Sequence, residues 1–342
     1  MKESICLFRL SAIGDICHAA AMIKALKANK PNASITWIIG KIEYQLVRHI
    51  EGVEFIIFDK SRGNKAYFDL WRTLKGRKFD ALLLMQVALR ANIASLGIRA
   101  KRRIGFNKEL AKEGHSLVIN ETIDNPIKPH VLDGFLAFVR RLCHNPNIQF
   151  DGWDLPIPED NLLQAKQLLN SEKPALVICP AASKAERNWL PERYAQVCDH
   201  ASANGYQVYI CGAPTELEKQ LATDIISHCQ QKPVNLVGKT PLLTLMAVLK
   251  QAKAVIAPDT GPLHMAVTQG TKAIGLYAHS NPDRTGPYLN RELTVSVYQQ
   301  CIEQQTGQPL ADIPWGKRAK GEQLMELISC EQVINSMAKI TN

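Results

Sequence analysis

The sequence predicts an α/β protein with two domains, each a parallel sheet with helices on both faces. Three observations support this prediction: a length of 342 residues, apolar runs that alternate with stretches of helical periodicity, and a proline-containing segment near the middle of the chain. The alternation stops at this segment, residues 145–160, and begins again after it. We therefore expect domains at 1–155 and 161–318. A C-terminal helical segment, 319–342, is expected to pack back on the N-terminal domain.

The first half contains four predicted strands and four predicted helices. The short apolar runs that read as strands are 4–10, 33–39, 55–58 and 79–85. The stretches with helical spacing are 16–27, 43–49, 67–74 and 130–142. Residues 59–78 carry seven basic side chains, and a second basic segment follows the last of these strands, around 99–103.

The second half repeats the pattern. Strands are predicted at 175–179, 207–211, 234–237, 254–257 and 273–277. Helices are predicted at 162–169, 191–203, 216–228, 241–251 and 321–339, with a further helix starting near Pro262. The polar clusters 11–15, 182–187, 212–216, 259–264 and 280–286 follow the ends of strands, where open α/β sheets bind their ligands. Two Rossmann-like halves facing across a cleft are the simplest account of this arrangement.

Composition points to a protein of the reduced cytoplasm. The chain is 46% hydrophobic and 21% charged, which is typical of a globular protein, and no apolar run approaches the roughly 18–20 residues that span a bilayer. Arg9 interrupts the apolar run at the N-terminus, so this run is predicted to be a strand rather than a signal peptide. The nine cysteines are scattered without a C-x-x-C pair, which indicates neither a disulfide framework nor a zinc site.

The positive charge lies in the first half. Residues 1–150 hold 24 Lys and Arg against 13 Asp and Glu, a net charge of +11, whereas residues 151–342 hold 17 against 19, a net charge of −2. This asymmetry indicates an anionic partner for the first half: a nucleic acid, a membrane surface or an acidic substrate. A solvated basic surface is the alternative.

The most informative stretch is 254–266, which reads A-V-I-A-P-D-T-G-P-L-H-M-A. A buried strand would end at Pro258, and Asp259, Thr260 and Gly261 would turn the chain into a helix with Pro262 in its first turn. The free N–H groups and the dipole of such a helix favour a phosphate or pyrophosphate. An ordinary surface turn with a helix cap remains the alternative.

Three more side chains have chemistry of their own. Asp15, in the first strand-to-helix turn, is placed to accept a proton from a hydroxyl or to cap the helix. Arg187, two residues before Trp189, has the forked guanidinium that binds a pyrophosphate. Glu216 follows Gly212 in another such turn, where it would take a ribose hydroxyl or complement the helix dipole.

Together these motifs resemble the bacterial ADP-heptose:lipopolysaccharide heptosyltransferases of glycosyltransferase family 9. The matching stretches are S-A-I-G-D-I-x-H, C-P-A-A-S-(x)3-R-N-W-L-P, C-G-A-P-T-E-x-E, N-L-V-G-K-T-P-L-x-x-L, P-D-T-G-P-L-H-M-A and H-S-N-P-D-R-T-G-P-Y, in the order of the family. The resemblance covers nearly the whole chain. It implies a GT-B fold, with the acceptor on the N-terminal domain and the nucleotide sugar on the C-terminal one. It also implies inverting transfer without a metal ion or other cofactor.

The resemblance assigns roles to particular residues. Asp15 would be the catalytic base, and Gln86, Arg90 and Lys112 would bind the acceptor. The donor would be bound by Ser183, Arg187, Glu216, Thr240, Asp259, Thr260, Gly261 and His264. Arg187 stands where the family usually has Lys, which preserves the charge. The implied partners are ADP-heptose, a Kdo-lipid A acceptor and the inner-membrane surface, with the enzyme cytoplasmic and peripheral to that membrane.

Alternatives to transfer onto Kdo, or phospho-Kdo, remain open at this point. One is addition to an existing core heptose, and another is a sugar-nucleotide epimerase on the same fold. A nucleic-acid-binding protein is disfavoured because the basic segment 99–103 lacks interleaved aromatic residues. A dehydrogenase is disfavoured because no G-x-G-x-x-G follows the first strand. The chain also lacks a D-x-D motif for a metal-bound diphosphate.

Overall fold

A computed structural model describes residues 2–111, 113–124 and 128–341 of the chain. They form two compact units, Met1–Pro156 and Ile157–Asn342. Each unit contains one six-stranded, entirely parallel sheet, as the alternation of strands and helices predicts. None of the described helices has both the length and the apolar character that crossing a membrane requires.

The first unit is built around strands whose order in the sheet is β3-β2-β1-β4-β5-β6. The strands are β1 (Ser4–Phe8), β2 (Ser34–Gly40), β3 (Val53–Phe58), β4 (Phe79–Leu84), β5 (Ala100–Gly105) and β6 (Glu121–Thr122). The helices are α1 (Ile13–Asn29), α2 (Lys41–Val47), α3 (Lys65–Thr73), α4 (Leu89–Ser95) and α5 (Val131–Cys143). Strands β1 and β4 are almost wholly buried, as their continuous apolar sequences require in the middle of a parallel sheet.

The second unit repeats this topology, with the order β12-β11-β10-β7-β8-β9. Its strands are β7 (Ala175–Ile178), β8 (Gln207–Ile210), β9 (Val234–Asn235), β10 (Ala254–Pro258), β11 (Lys272–Tyr277) and β12 (Val295–Ser296). Its helices are α6 (Glu159–Leu168), α7 (Pro191–Ala203), α8 (Glu216–His228), α9 (Leu242–Gln251), α10 (Gly261–Thr268), α11 (Pro282–Thr285), α12 (Tyr298–Thr306) and α13 (Cys330–Thr341). Read from β9, both sheets have the same 3-2-1-4-5-6 order.

The basic segment of the first unit is largely structural. Three of its side chains lie on β5, where Lys101 pairs with Asp80 at 2.7 Å and Arg102 pairs with Glu121 at 2.7 Å. Arg103 donates to the main-chain carbonyl oxygens of Val118, Ile98 and Ser95. Much of the positive charge around 99–103 is therefore neutralised or bonded within the unit. Most of this segment belongs to strand β5, Ala100–Gly105, which the sequence analysis did not predict and described only as a basic segment.

The C-terminal helix differs from expectation. Helix α13 begins at Cys330, and its apolar residues Val333, Met337 and Ile340 belong to the hydrophobic core of the second unit. They share that core with Trp189, whose indole N–H donates to the carbonyl oxygen of Ile328 at 3.1 Å. The apolar side of α13 is thus used within the second unit. The start of α13 at Cys330 is later than the predicted start at 321, and the expected packing on the N-terminal domain stays a prediction.

Candidate active site

Each sheet has one point where the strand order reverses, and the predicted site residues cluster at these two points. In the first unit the reversal lies between β1 and β4, and in the second unit between β7 and β10. Neighbouring loops diverge at the carboxyl ends of such strand pairs and leave a crevice for a ligand. The loops after β1 and β4 carry Asp15 and Gln86, and the loops after β7 and β10 carry Arg187 and Asp259.

Asp15 lies in the first turn of α1, with its side chain 31% exposed. Its Oδ2 atom accepts from the main-chain N–H of Ala12 at 3.3 Å and forms an ion pair with Arg9. Asp15 therefore helps to cap α1, but from the third helical position, because the N-cap residue is Ala12. These contacts occupy one carboxylate oxygen, and Oδ1 accepts no hydrogen bond from the residues that the structure describes. Asp15 combines an anchored oxygen with one that is available to a ligand.

Arg9 is a site residue that the sequence analysis missed. Its guanidinium donates to the carbonyl oxygen of Met85 at 2.5 Å, pairs with Asp15 and lies 5.3 Å from the centre of the Phe135 ring. A cation stacked on an aromatic ring and bonded on two sides has little freedom to move. The available signal was the interruption of the N-terminal apolar run by Arg9, which the sequence analysis used only to argue against a signal peptide.

The three predicted acceptor residues have different environments. Gln86 accepts from the main-chain N–H of Leu10 at 2.8 Å through Oε1, so it joins the end of β4 to the segment that follows β1. Arg90 is exposed in the first turn of α4 and pairs with no carboxylate among the described residues. Lys112 lies outside the described residues. The bond to Leu10 joins Gln86 to the β1–α1 segment that also carries Asp15. Arg90 follows Gln86 on the connection from β4 to α4.

Asp259 lies at the end of β10 in a largely buried position. Its Oδ1 atom is 3.7 Å from Nε2 of His264 and 3.5 Å from the hydroxyl of Tyr277, which donates mainly to the carbonyl oxygen of Thr285 at 2.8 Å. Burial alone would raise the pKa of the Asp259 carboxyl. The hydrogen bond and charge of His264, the hydrogen bond of Ser280 and the charge of Arg187 outweigh this effect of burial. The pKa of Asp259 therefore lies below its usual value. Asp259 is thus held as a carboxylate.

Thr260 and Gly261 begin α10 directly after Asp259. Thr260 is the N-cap residue, and its side chain makes no capping hydrogen bond. The positive end of the helix dipole therefore lies beside the Asp259–His264 pair without a side-chain acceptor from its own cap. The strand–turn–helix junction predicted from the sequence is therefore present, and anion binding there stays a prediction.

Arg187 is buried on a short 3-10 helix in the loop after β7. Burial lowers the pKa of its guanidinium, nearby Arg318 lowers it further, and the charges of Asp259 and Glu186 act in the opposite direction. A guanidinium stays protonated in proteins, so two cations share this region. Arg187 forms no ion pair within 4 Å among the residues that the structure describes. Such an arrangement favours a bound anion with more than one charge.

The other predicted donor residues surround this cluster less closely. Ser183 is exposed in the loop after β7, and Oγ1 of Thr240 is buried without a hydrogen-bond partner in the described chain. Glu216 is 89% exposed and pairs with Lys219 at 2.7 Å, so its carboxylate is turned to the surface here. Glu218 instead accepts from the main-chain N–H of Ala213 at 2.7 Å, and burial raises its pKa. The structure thus offers two acids at this turn where the sequence analysis considered one.

A buried polar run after β11 overlaps the predicted ligand-binding cluster 280–286, although the sequence analysis gave none of its residues an individual role. His279 and Ser280 line a small cavity together with Arg187 and Asp259. The Nε2–H group of His279 donates to the carbonyl oxygen of Gly321 at 2.8 Å, while its Nδ1 and the Nδ2 of Asn281 have no partner among the described residues. Buried polar atoms without partners are rare and indicate a place for a ligand or water. The H-S-N-P stretch at 279–282 was quoted for the resemblance, but its residues received no role.

The described residues contain no group of three or more His, Cys, Asp or Glu side chains arranged to hold a metal ion. The charged groups that the structure brings together at the second switch point are instead Arg187, Arg318 and the Asp259–His264 pair. A cation cluster beside a helix N-terminus suits a diphosphate, and a half-anchored carboxylate suits proton transfer from a hydroxyl.

The chain is similar to known proteins over most of its length. Residues 67–312 match glycosyltransferase family 9 (heptosyltransferase). The lipopolysaccharide core heptosyltransferase OpsX of Haemophilus influenzae is 42% identical over 338 residues, which is 99% of this chain and 97% of that protein.

Solved structures show the same fold. A glycosyl transferase family 9 protein from Veillonella parvula has a TM-score of 0.80 at 20% identity, covering 99% of this chain and 97% of its own. The Escherichia coli ADP-heptose lps heptosyltransferase II has a TM-score of 0.73 at 18% identity, covering 99% and 98%. The predicted GT-B fold with two Rossmann-like domains is confirmed at the level of fold class. On the family match and the full-length relative, the chain belongs to glycosyltransferase family 9, the heptosyltransferases.

Proposed function

We propose that this protein transfers L-glycero-D-manno-heptose from its ADP-sugar to Kdo, or phospho-Kdo, of the lipopolysaccharide inner core. The name of the 42% identical relative supports the lipopolysaccharide core as the target, and that of the E. coli structure supports ADP-heptose as the donor. The observation that carries the proposal is the geometry of Asp15, which has one carboxylate oxygen anchored and the other available.

In this proposal the second unit holds the donor. Arg187 and the N-terminus of α10 bind the diphosphate, and the Asp259–His264 pair orients the groups around it. Thr240 and one of the two acids at the 212–218 turn contact the nucleoside. As the bond from the anomeric carbon to the diphosphate oxygen breaks, the departing ADP gains negative charge. A fixed guanidinium and a helix dipole stabilise that charge, so the step is proposed to need no metal ion.

Asp15 acts on the acceptor. Its Oδ1 takes the proton from the attacking hydroxyl while that oxygen bonds to the anomeric carbon on the face opposite ADP, which inverts the configuration. Arg9 holds the carboxylate in place through Oδ2. The Asp15 carboxylate is therefore already oriented for proton transfer.

The proposed acceptor is an acidic sugar that meets the basic side chains of the first unit. Arg90 is exposed and unpaired among the described residues, which supports an acidic sugar such as Kdo. Several other basic side chains of the first unit have internal partners, which weakens the charge argument and keeps addition to an existing core heptose as the alternative. A lipid-linked acceptor supports a cytoplasmic enzyme working at the inner-membrane surface.

An ADP-release assay with purified acceptors tests the proposal. ADP-heptose is supplied with Kdo-lipid A, with its phosphorylated form or with a lipid A core that already carries one heptose. We expect release on the first or second acceptor and loss of it in Asp15→Asn. Release only with the heptosylated acceptor would establish the alternative. Conversion of ADP-heptose without any acceptor would point to an epimerase and contradict the proposal.

A further inference from the structure

Helix α4 presents an apolar stripe to solvent. Leu89, Ile93 and Leu96 follow one another at spacings of four and three residues, which places them on one face of the helix. All three are exposed, Leu96 with 64% of its surface accessible. A surface helix ordinarily turns this kind of stripe toward the core, so its exposure calls for a partner.

The stripe continues onto α3. The Trp71 indole N–H donates to the carbonyl oxygen of Ala94 at 3.0 Å, and a Cβ at Gly97 would overlap the Trp71 ring, so this ring lies directly against the end of α4. Phe68 lies beside it, with 5.7 Å between the ring centres, and is 61% exposed. We call Phe68, Leu89, Ile93 and Leu96 the α3–α4 patch.

Positive charge borders the α3–α4 patch. Lys65 and Arg72 share one face of α3 with Phe68, at i, i+3 and i+7. Lys75 follows the helix at the same spacing, and Arg99 lies just after α4. All four side chains are exposed, and none forms an ion pair with a residue that the structure describes. The patch therefore combines large exposed apolar side chains with cations that have no ion-pair partner among the described residues.

We propose that the α3–α4 patch docks the enzyme on an anionic lipid bilayer. Large apolar side chains would enter the boundary of the acyl chains while the lysines and arginines contact the phosphate headgroups. The inference rests on the proposed function in one respect: Arg90, the proposed acceptor contact, is on α4 next to Leu89. Docking here would present that helix to a sugar that is anchored in the same membrane.

The positive charge around the α3–α4 patch favours a bilayer over a second copy of the chain as its partner. In a symmetric dimer through this patch, the same four cations of each copy would meet their equivalents, and like charges across an interface oppose association. An anionic bilayer neutralises them instead. The four apolar side chains are also far fewer than the roughly 20–30 residues per partner of a standard interface.

Vesicle flotation tests the docking surface without any turnover. The full-length protein is mixed with vesicles of phosphatidylglycerol and phosphatidylethanolamine, or of phosphatidylcholine alone. We expect binding to the anionic vesicles only. The double variant F68S/L96S should lower the partition coefficient about tenfold, because two large side chains no longer enter the lipid. The matched control L163S/L217S removes two leucines of the second unit that are each 53% exposed. It should bind like wild type.

Charge removal and activity complete the test. K65Q/R72Q should weaken binding about fivefold for each charge removed. F68S/L96S should keep the wild-type rate on a deacylated, water-soluble acceptor. Its rate on the lipid-linked acceptor in vesicles should fall about tenfold, in line with its partition coefficient.

Equal binding to both vesicle types, no binding, or no difference between F68S/L96S and L163S/L217S would overturn the proposal. So would a concentration-dependent dimer that only F68S/L96S abolishes. Because flotation needs no acceptor, a wrong acceptor would leave this result intact.

Discussion

The two switch points of this protein have the same sheet topology, and each holds one largely buried arginine, yet the two arginines are used differently. Arg9 at the β1/β4 reversal is in direct contact with a carboxylate, that of Asp15. Arg187 at the β7/β10 reversal has no ion pair within 4 Å among the described residues and has a second cation, Arg318, nearby. A paired arginine orients its partner, whereas an unpaired one in a cation cluster awaits an anion. Under the proposed function, this difference separates a half that holds the base from a half that binds the diphosphate.

The two halves also differ in how much of each is preformed. The second switch point gathers buried polar side chains, including Asp259, His264, His279 and Ser280. Among the described residues, the first offers the half-anchored carboxylate of Asp15 and the exposed side chain of Arg90. We infer that donor recognition is built into the fold, while acceptor recognition depends on surface groups.

Removing the base should have the largest effect. Asp15→Asn keeps the size of the side chain and its contact with Ala12 but cannot take a proton, so kcat should fall about 10³-fold. The rate of ADP release with saturating donor and acceptor measures this. A fall of less than about tenfold would mean that another group accepts the proton.

Removing the unpaired arginine should have the next largest effect. Arg187→Met should lower kcat/KM for ADP-heptose by about ten- to a hundredfold, because charged hydrogen bonds to the diphosphate are lost, and Arg187→Lys should recover part of it. Lys184→Met is the matched control. Lys184 is an exposed cation in the same loop that pairs with Glu186 at 3.4 Å, and its loss should change little. Equal effects of the two substitutions would refute a specific role for Arg187.

Removing the paired arginine should act through Asp15. Arg9→Met should lower kcat about tenfold with KM for ADP-heptose unchanged, since a misplaced base slows proton transfer without affecting the donor. Arg9→Lys should restore most of the rate if charge beside Oδ2 is what matters. Steady-state kinetics separate the two constants, and thermal unfolding shows whether the variants fold. A change confined to KM for the donor would contradict the positioning role.

The smallest expected effect is on stability at low pH. His115 is buried beside α4, its Nδ1 is 3.0 Å from Oδ1 of Asn92, and burial lowers its pKa to about 4. The unfolded chain binds this proton near pH 6.5, so the contribution of His115 is complete above that pH and declines as the pH falls toward 4. Between pH 7 and 5 the free energy of unfolding should fall by on the order of 1–2 kcal/mol more in wild type than in His115→Gln. Denaturant unfolding at the two pH values measures it, and parallel losses would contradict the assignment.

The fold was predictable wherever burial leaves a periodic pattern. β1, β4, β7 and β10 are apolar runs at the centres of their sheets. β5 escaped detection because its sequence, A-K-R-R-I-G, carries three cations whose partners are brought to it only by folding. The periodic pattern of apolar residues records which side chains are buried in the core. A strand whose side chains have polar partners lacks this apolar pattern.

The site was predictable where neighbours in sequence are neighbours in space. Asp259, Thr260, Gly261 and His264 lie within six residues, and their motif points to the turn they form. The contacts of Arg9 with Met85 and Phe135 join residues 76 and 126 positions apart, and no local pattern encodes them. The two acids at the 212–218 turn show a further limit, because only side-chain direction distinguishes Glu216 from Glu218.

Calorimetric titration of ADP into wild type, Asp15→Asn and Arg187→Met tests the separation of the two halves most directly. Because Asp15 and Arg187 share no hydrogen-bond or ion-pair partner among the residues that the structure describes, Asp15→Asn should bind ADP within about twofold of wild type. Arg187→Met should lose at least about tenfold in affinity. A loss of ADP affinity in Asp15→Asn as large as that in Arg187→Met would contradict the account, since the base would then belong to the nucleotide site.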